Sequence, residues 1–172
     1  MNASDRQQPH HSLKLTALTG IPLVQPGDCL VSFILQSLKQ TEINLKEGDI
    51  LVIAQKVVSK SEGRYVRLDN VEPSKKALEL AKLTEKDPRL VELILTESRE
   101  IIRHRDGVIV VENRQGIILA NAGIDQSNVE SDNEAEQVLL LPLDPDESAS
   151  NIRIQLQKKT NVNVAVIIND SI

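Results

Sequence analysis

The stretch "VLLLPLDPDESASNIRIQLQKKTNVNVAVIIND", residues 138–170, holds the fold class in miniature. Its first part, 138–144, reads as an apolar strand running into a helix start. Asp144 stands at the N-cap position, Pro145 at the first helical position and Glu147 at the third, which is the pattern of a capping box. The following helix places Ala149, Ile152 and Leu156 on one face at helical spacing. The segment 161–170 then reads as a closing strand rich in β-branched residues.

Working outward, the same alternation recurs. The segment 13–18 reads as a short strand, and 19–28, with Gly20, Pro22, Pro26 and Gly27, as a structured loop. Asp28 is the expected N-cap of a helix through Lys39. The β-branched run 50–60 predicts a strand, alone or continuing into an extended loop. Pro73 suits the first position of a helix over 73–83. Asp87 and Pro88 open another, extending through Arg103, with Leu90, Leu93, Ile94 and Ile101 on one stripe. Residues 108–113 and 117–123 flank the turn 114–116 as a β-hairpin, and the acidic segment 132–137 reads as a solvated loop. Interleaved strands and helices without internal repeats give an α/β (α+β) class with a mixed β-sheet and flanking helices.

Composition narrows the functions. The chain has 172 residues, one Phe, one Tyr and no Trp, so its core must be built from aliphatic side chains. Aromatic stacking platforms for single-stranded nucleic acid are missing. A formal net charge of −5 without a basic block argues against nucleic acid and against anionic membrane surfaces. Residues 1–12 read as a disordered polar lead with no apolar signal core, no run is long enough for a membrane helix, and the expected location is the cytoplasm. His10 and His11 in the lead read as solvated. Cys29, the single cysteine, reads as a small buried apolar residue.

Three segments carry candidate chemistry. The loop 121–129 offers Asn121, Asp125, Ser127 and Asn128 after an apolar strand, with small residues that let a ligand approach the backbone. The end of the last strand offers Asn169, Asp170 and Ser171. Neighbouring strands would bring Asp125 and Asp170 to one sheet edge, where carboxylates, a hydroxyl and amide oxygens suit Mg²⁺ or Mn²⁺ shared with phosphate oxygens. In 54–63, Lys56 and Lys60 point to one face. They read either as a polyphosphate holder or as the protecting charges of an edge strand. Neither standard glycine-rich nucleotide loop occurs, and no Ser-His-Asp or Cys-His arrangement is available.

The segments "GIPLVQPGD" (20–28), "GDILVIAQKVVSKSEGR" (48–64), "DPRLVELILTESREIIR" (87–103), "NAGIDQSNV" (121–129), "LLPLDPDESASNIR" (140–153) and "VAVIINDS" (164–171) occur in this order. Together they resemble the coenzyme F420-0:gamma-glutamyl ligase family, over residues 13–172. The resemblance implies a gamma-glutamyl ligase-like fold, a homodimer, and joining of L-glutamate to the coenzyme F420 precursor through an acyl phosphate. GTP is the implied co-substrate, with Mg²⁺ or Mn²⁺ and a potassium-like monovalent cation. By position it implies nucleotide contacts from Ile21, Pro22, Leu23, Val24, Gln55, Lys60 and Asn128, and metal ligands at Asp125, Asp170 and Ser171. Ser171 stands where the family usually has threonine. The family continues into a Gly-Arg-Pro-Trp-Arg-like segment that does not follow here, so the domain is expected to be incomplete at its C-terminus. Two alternatives stay open: a related ligase for another acid, and a non-catalytic remnant that needs its missing part.

Overall fold

A computed structural model describes residues 12–126 and 136–170. Its first unit is built on two parallel strands, β1 (Ile50–Ala54) and β7 (Ala165–Asn169), paired from Ile50↔Ala165 to Ala54↔Asn169. Helices α1 (Leu30–Gln40), α2 (Gln55–Ser61) and α5 (Pro145–Thr160) accompany this pair. Val31, Ile34, Leu38, Ile53, Val58, Ile152, Leu156 and Val164 form its core. Alternation along the strands sends Ile53 inward and leaves Ile50, Val52 and Ile167 on an outward face, each close to half exposed or more. A parallel pair ordinarily has both faces covered.

The second unit contains β2 (Tyr65–Arg67), α3 (Lys75–Thr84), α4 (Pro88–Thr96), β3 (Ser98–Arg105), β4 (Val108–Asn113), β5 (Ile118–Ala120) and β6 (Gln137–Leu139). β3, β4 and β5 form an antiparallel meander, while β2 pairs antiparallel with β6. On β4 the alternation is strict: Ile109, Val111 and Asn113 face in. They meet Leu80, Leu90, Val91, Ile94, Val138 and Leu140 in a second core. The mixed α/β class is thus as expected, with the described strands divided among three small sheets.

The capped helix α5 forms as its sequence specifies: Asp144 Oδ1 accepts from Glu147 N at 2.9 Å, and Ile152 and Leu156 are buried. The hairpin 108–113/118–120 also forms. Four other expectations need correction. Residues 13–18 are not a strand; Leu13 and Leu15 are exposed, and no described strand pairs with them. Asp28 does not cap α1. Its carboxylate accepts from Gln25 N at 2.7 Å and closes the preceding turn, leaving Cys29 at the N-cap, exposed and not buried. Ser37, inside α1, holds the chain ahead of that turn through its hydroxyl to Thr19 O. Pro73 lies outside α3, whose N-cap is Ser74, with Oγ accepting from Ala77 N.

The largest change is at 88–103. α4 stops at Thr96, and the chain re-enters as β3. Ser98 Oγ donates to Ile94 O and Arg114 N donates to Glu97 O, so the freed helix carbonyls are taken by the hydroxyl and by the neighbouring hairpin. Ile101 still packs on the same core, but from a strand. The run 50–60 likewise changes conformation, from β1 to α2 after Ala54.

Asp87, the N-cap of α4, accepts from Arg89 N at 2.8 Å, and its carboxylate pairs with the Arg89 guanidinium at 2.5 Å. Arg89 reaches Glu136 at 2.7 Å as well. The Arg89 hydrogen bond holds the Asp87 carboxyl below the usual carboxylate range. A depressed carboxyl pKa stabilises the fold above its unfolded value and loses that contribution as pH falls toward the folded value. Urea midpoints measured from neutral to acidic pH are therefore expected to fall less steeply in Asp87→Asn, which starts about 0.5–1 kcal/mol less stable at neutral pH.

Candidate active site

The parallel pairing Ala54↔Asn169 sets the frame of the site. One residue beyond it, Gln55 opens α2 and Asp170 follows β7, so both leave the sheet at its carboxyl edge. Such edges are where open α/β sheets place ligand groups. Gln55 is buried and donates through Nε2 to Ser59 Oγ at 2.5 Å. Lys56 and Lys60 do share a face, because they are one helical turn apart on α2. The edge-strand reading of these lysines is thereby excluded. Asp170 is exposed.

Asp125 arrives from the second unit. Asn121, Ala122 and Gly123 all carry positive φ, at 50°, 55° and 68°, which makes a left-handed turn after β5. Asn121 Oδ1 accepts from Ile109 N at 3.1 Å and fastens that turn to β4. Asp125 then exchanges two backbone hydrogen bonds with Leu139 of β6, at 2.9 and 2.8 Å. Leu139 is itself paired with Tyr65 of β2, so Asp125 extends that small sheet by one residue. Its Oδ2 lies 2.7 Å from Lys56 Nζ, with side-chain exposures of 15% for the aspartate and 39% for the lysine.

The sheet-edge expectation for the two aspartates is corrected here. Asp125 follows β5, which pairs with β4, whereas Asp170 follows β7, which pairs with β1. What brings Asp125 toward the carboxyl edge of β1 is the ion pair with Lys56, not strand adjacency. The small residues of the turn also have another reason than ligand approach. A Cβ on Gly123 would sit 2.8 Å from both Leu119 Cδ1 and Leu141 Cδ1, so the glycine is demanded by packing and by φ.

The loop carrying Ile21, Pro22, Leu23 and Val24 approaches the opposite end of α2. Gly27 N donates to Ser61 O at 2.8 Å, Val24 is buried beside Val58, and Ile21, Pro22 and Leu23 are exposed. Glu62, the C-cap of α2, accepts from Ser148 Oγ at 2.6 Å and from Leu143 N at 3.0 Å, which ties α2 to the start of α5. Arg64 donates to Leu141 O and pairs with Glu97 at 3.0 Å, linking the two units again. Asn128 and Ser171, like the polar lead over residues 1–11, lie outside the described residues.

The donor set discriminates among metals. Among the described residues no group of three or more His, Cys, Asp or Glu is assembled to enclose an ion. A zinc cage is therefore not built from them. Asp125 is a largely buried carboxylate facing the Lys56 ammonium, and Asp170 is an exposed carboxylate directly after β7. Carboxylate oxygens are donors that Mg²⁺ and Mn²⁺ accept. The Lys56–Asp125 pair is the contact that sequence spacing alone does not reveal. The spacing of Lys56 to Lys60 was visible, but its acidic partner lies on a different unit.

A family model described as F420-0:Gamma-glutamyl ligase matches residues 20–172. The chain belongs to this family. It is 46% identical over 159 residues to the coenzyme F420:L-glutamate ligase of Methanothermobacter thermautotrophicus, covering 92% of this chain and 62% of that protein. It is 45% identical over 148 residues to the ligase of the same name from Methanopyrus kandleri, covering 86% and 55%. For the Methanocaldococcus jannaschii ligase the values are 43% over 128 residues, 74% and 49%. The chain thus spans between about half and three fifths of the length of these family members. Among the described residues, no helix is long and apolar enough to cross a membrane.

Gly123→Ala tests the delivery of Asp125. It is expected to lower stability by about 1–3 kcal/mol, read from urea unfolding. It should also shift the NMR signals of Asp125 and Lys56 more than those of α1. Wild-type stability in this variant would show that the turn tolerates a side chain.

Proposed function

We propose that this chain carries part of an amide ligase site that joins L-glutamate to the coenzyme F420 precursor at the expense of GTP. The observation that carries the reading is the ion pair of Asp125 with Lys56, next to Gln55 at the carboxyl edge of β1, in a chain whose family match spans all three. The names of the relatives supply the reaction class. The positive side chains of α2 supply electrostatic cover for a polyphosphate, and Asp125 with Asp170 a hard-oxygen seat for a divalent cation.

The chemistry follows from the difficulty of the reaction. A carboxylate is a poor electrophile until one oxygen becomes a leaving group. Transfer of the GTP terminal phosphoryl group to the precursor carboxylate gives an acyl phosphate and GDP. The glutamate amine attacks the acyl carbon, the C–N bond forms, the C–O bond to phosphate breaks, and the amine loses a proton. A bound Mg²⁺ or Mn²⁺ supplies charge neutralisation for phosphate oxygens. Lys60 orients an anionic group by charge, Gln55 by hydrogen bonding from a buried, fixed amide, and Ile21 to Val24 frame the loop beside α2. Asn128 and Ser171 complete the nucleotide and metal sets in this reading, and a monovalent cation and a homodimer belong to it. Cytoplasmic action fits substrates of this polarity.

A second reading is supported by the share of the relatives that this chain spans. In it, residues 1–172 fold and bind ligand weakly but need a further segment for turnover. Both are tested by incubating the chain with GTP, L-glutamate and the precursor and following GDP and glutamylated product by mass spectrometry. Product formation by residues 1–172 alone removes the second reading. Whichever form turns over, Asp125→Asn is expected to lower the rate by about two orders of magnitude or more. An unchanged rate takes Asp125 off the list of metal ligands.

A further inference from the structure

The Lys56–Asp125 pair has a geometry that a merely structural salt bridge does not require. The carboxylate is the inner partner, at 15% exposure, and the ammonium the outer one, at 39%. Asp125 is held by backbone hydrogen bonds on both sides of its Cα, to Leu139, so its carboxylate has a fixed origin. Lys56 has a long flexible stem on the first turn of α2. A cation thus stands 2.7 Å from Oδ2, an oxygen that is itself buried. A divalent ion bound by Asp125 would lie about 2.0–2.2 Å from an oxygen of the same carboxylate. An ammonium and a divalent ion on one carboxylate repel each other strongly at that separation.

We propose that Lys56 is a counter-ion latch: its ammonium occupies Asp125 in the metal-free protein and is displaced when a divalent cation binds that carboxylate. The proposal rests on the reading of Asp125 as a metal ligand. Lys56 acts through Asp125 and is a positioning residue. It keeps a largely buried carboxylate paired while the site is empty, which avoids the cost of an uncompensated inner charge. It also makes the metal compete for its seat, so that the affinity for a bare divalent ion is lowered. An anionic ligand that draws the ammonium away would raise that affinity, coupling the two binding events through one side chain.

The test is Mn²⁺ binding to residues 1–172, followed by the loss of the free-ion electron paramagnetic resonance signal, with inorganic sulfate as the anionic probe, at concentrations that leave that signal unchanged in a protein-free control. Lys56→Gln is expected to bind Mn²⁺ about five- to tenfold more tightly than the wild type, the scale of a partly exposed ion pair plus one removed charge. Sulfate should tighten Mn²⁺ binding in the wild type more than in Lys56→Gln. Lys56→Arg, which keeps the charge, should stay near the wild-type affinity. In thermal melts without metal, Lys56→Gln should melt below the wild type, and Mn²⁺ should close that gap.

A purely structural pair would also lower the melting temperature in Lys56→Gln, but would leave Mn²⁺ affinity unchanged. Unchanged or weaker Mn²⁺ binding in Lys56→Gln, with binding abolished in Asp125→Asn, overturns the latch and leaves Asp125 as a ligand. Wild-type Mn²⁺ affinity in Asp125→Asn overturns the ligand reading itself. Absence of Mn²⁺ binding in both the wild type and Lys56→Gln overturns the latch. Should Lys56→Gln fail to fold, Lys56→Met, which keeps the apolar stem, carries the same expected tightening.

Discussion

The parallel pairing of β1 with β7 is the constraint on which the remaining architecture hangs. Parallel strands cannot be joined by a tight turn, so the chain must leave the sheet after Ala54 and return at Ala165. Everything between, including the whole second core, is carried on that excursion. The pairing also sets where the candidate site lies. Both strands end at the same edge, and the residues that follow them, Gln55 and Asp170, are thereby neighbours in the fold without being near in sequence.

Onto this edge the second unit contributes a single charge. Asp125 follows Ala122 and Ile124, which belong to or pack on one core, while Lys56 rides on the helix whose Val58 belongs to the other. The ion pair therefore spans two aliphatic clusters. Around it the ties between the units are backbone and charge-assisted: Leu140 N to Arg64 O, Arg64 to Leu141 O and Glu97, and Glu62 to Leu143 N and Ser148. Directional bonds of this kind fix register where apolar contact alone would allow sliding. A site assembled between two cores needs that precision more than either core does.

Local signals were legible in the sequence and tertiary ones were not. The capping box at Asp144 is contained within four residues, and it formed. The hairpin after Val108 depends on one turn, and it formed too. The helix from Pro88 was read too long because Leu90, Leu93, Ile94 and Ile101 share a helical stripe. The same four positions reach one core with a helix–strand switch at Ser98, and periodicity cannot tell these apart. The β-branched run after Ile50 hid α2 for a related reason, since Val57 and Val58 favour strands locally while packing sets the helix. Gly123 was visible, but its purpose, a packing limit against Leu119 and Leu141, depends on side chains that only the fold brings near.

Glu62 has a mechanical consequence for the site. By binding Ser148 and Leu143 it moors the C-terminal end of α2, and Gly27 holds Ser61 beside it. At the other end, Gln55 is buried and continuous with the sheet. The helix is thus tied at both ends, and Lys56 reaches from its first turn to Asp125 on a four-carbon arm. Opening the carboxylate then needs only rotation about single bonds in a half-exposed side chain, a picosecond-to-nanosecond motion. In the proposed latch, no hinge, lid or relative movement of the two cores is required for the lysine to leave the carboxylate.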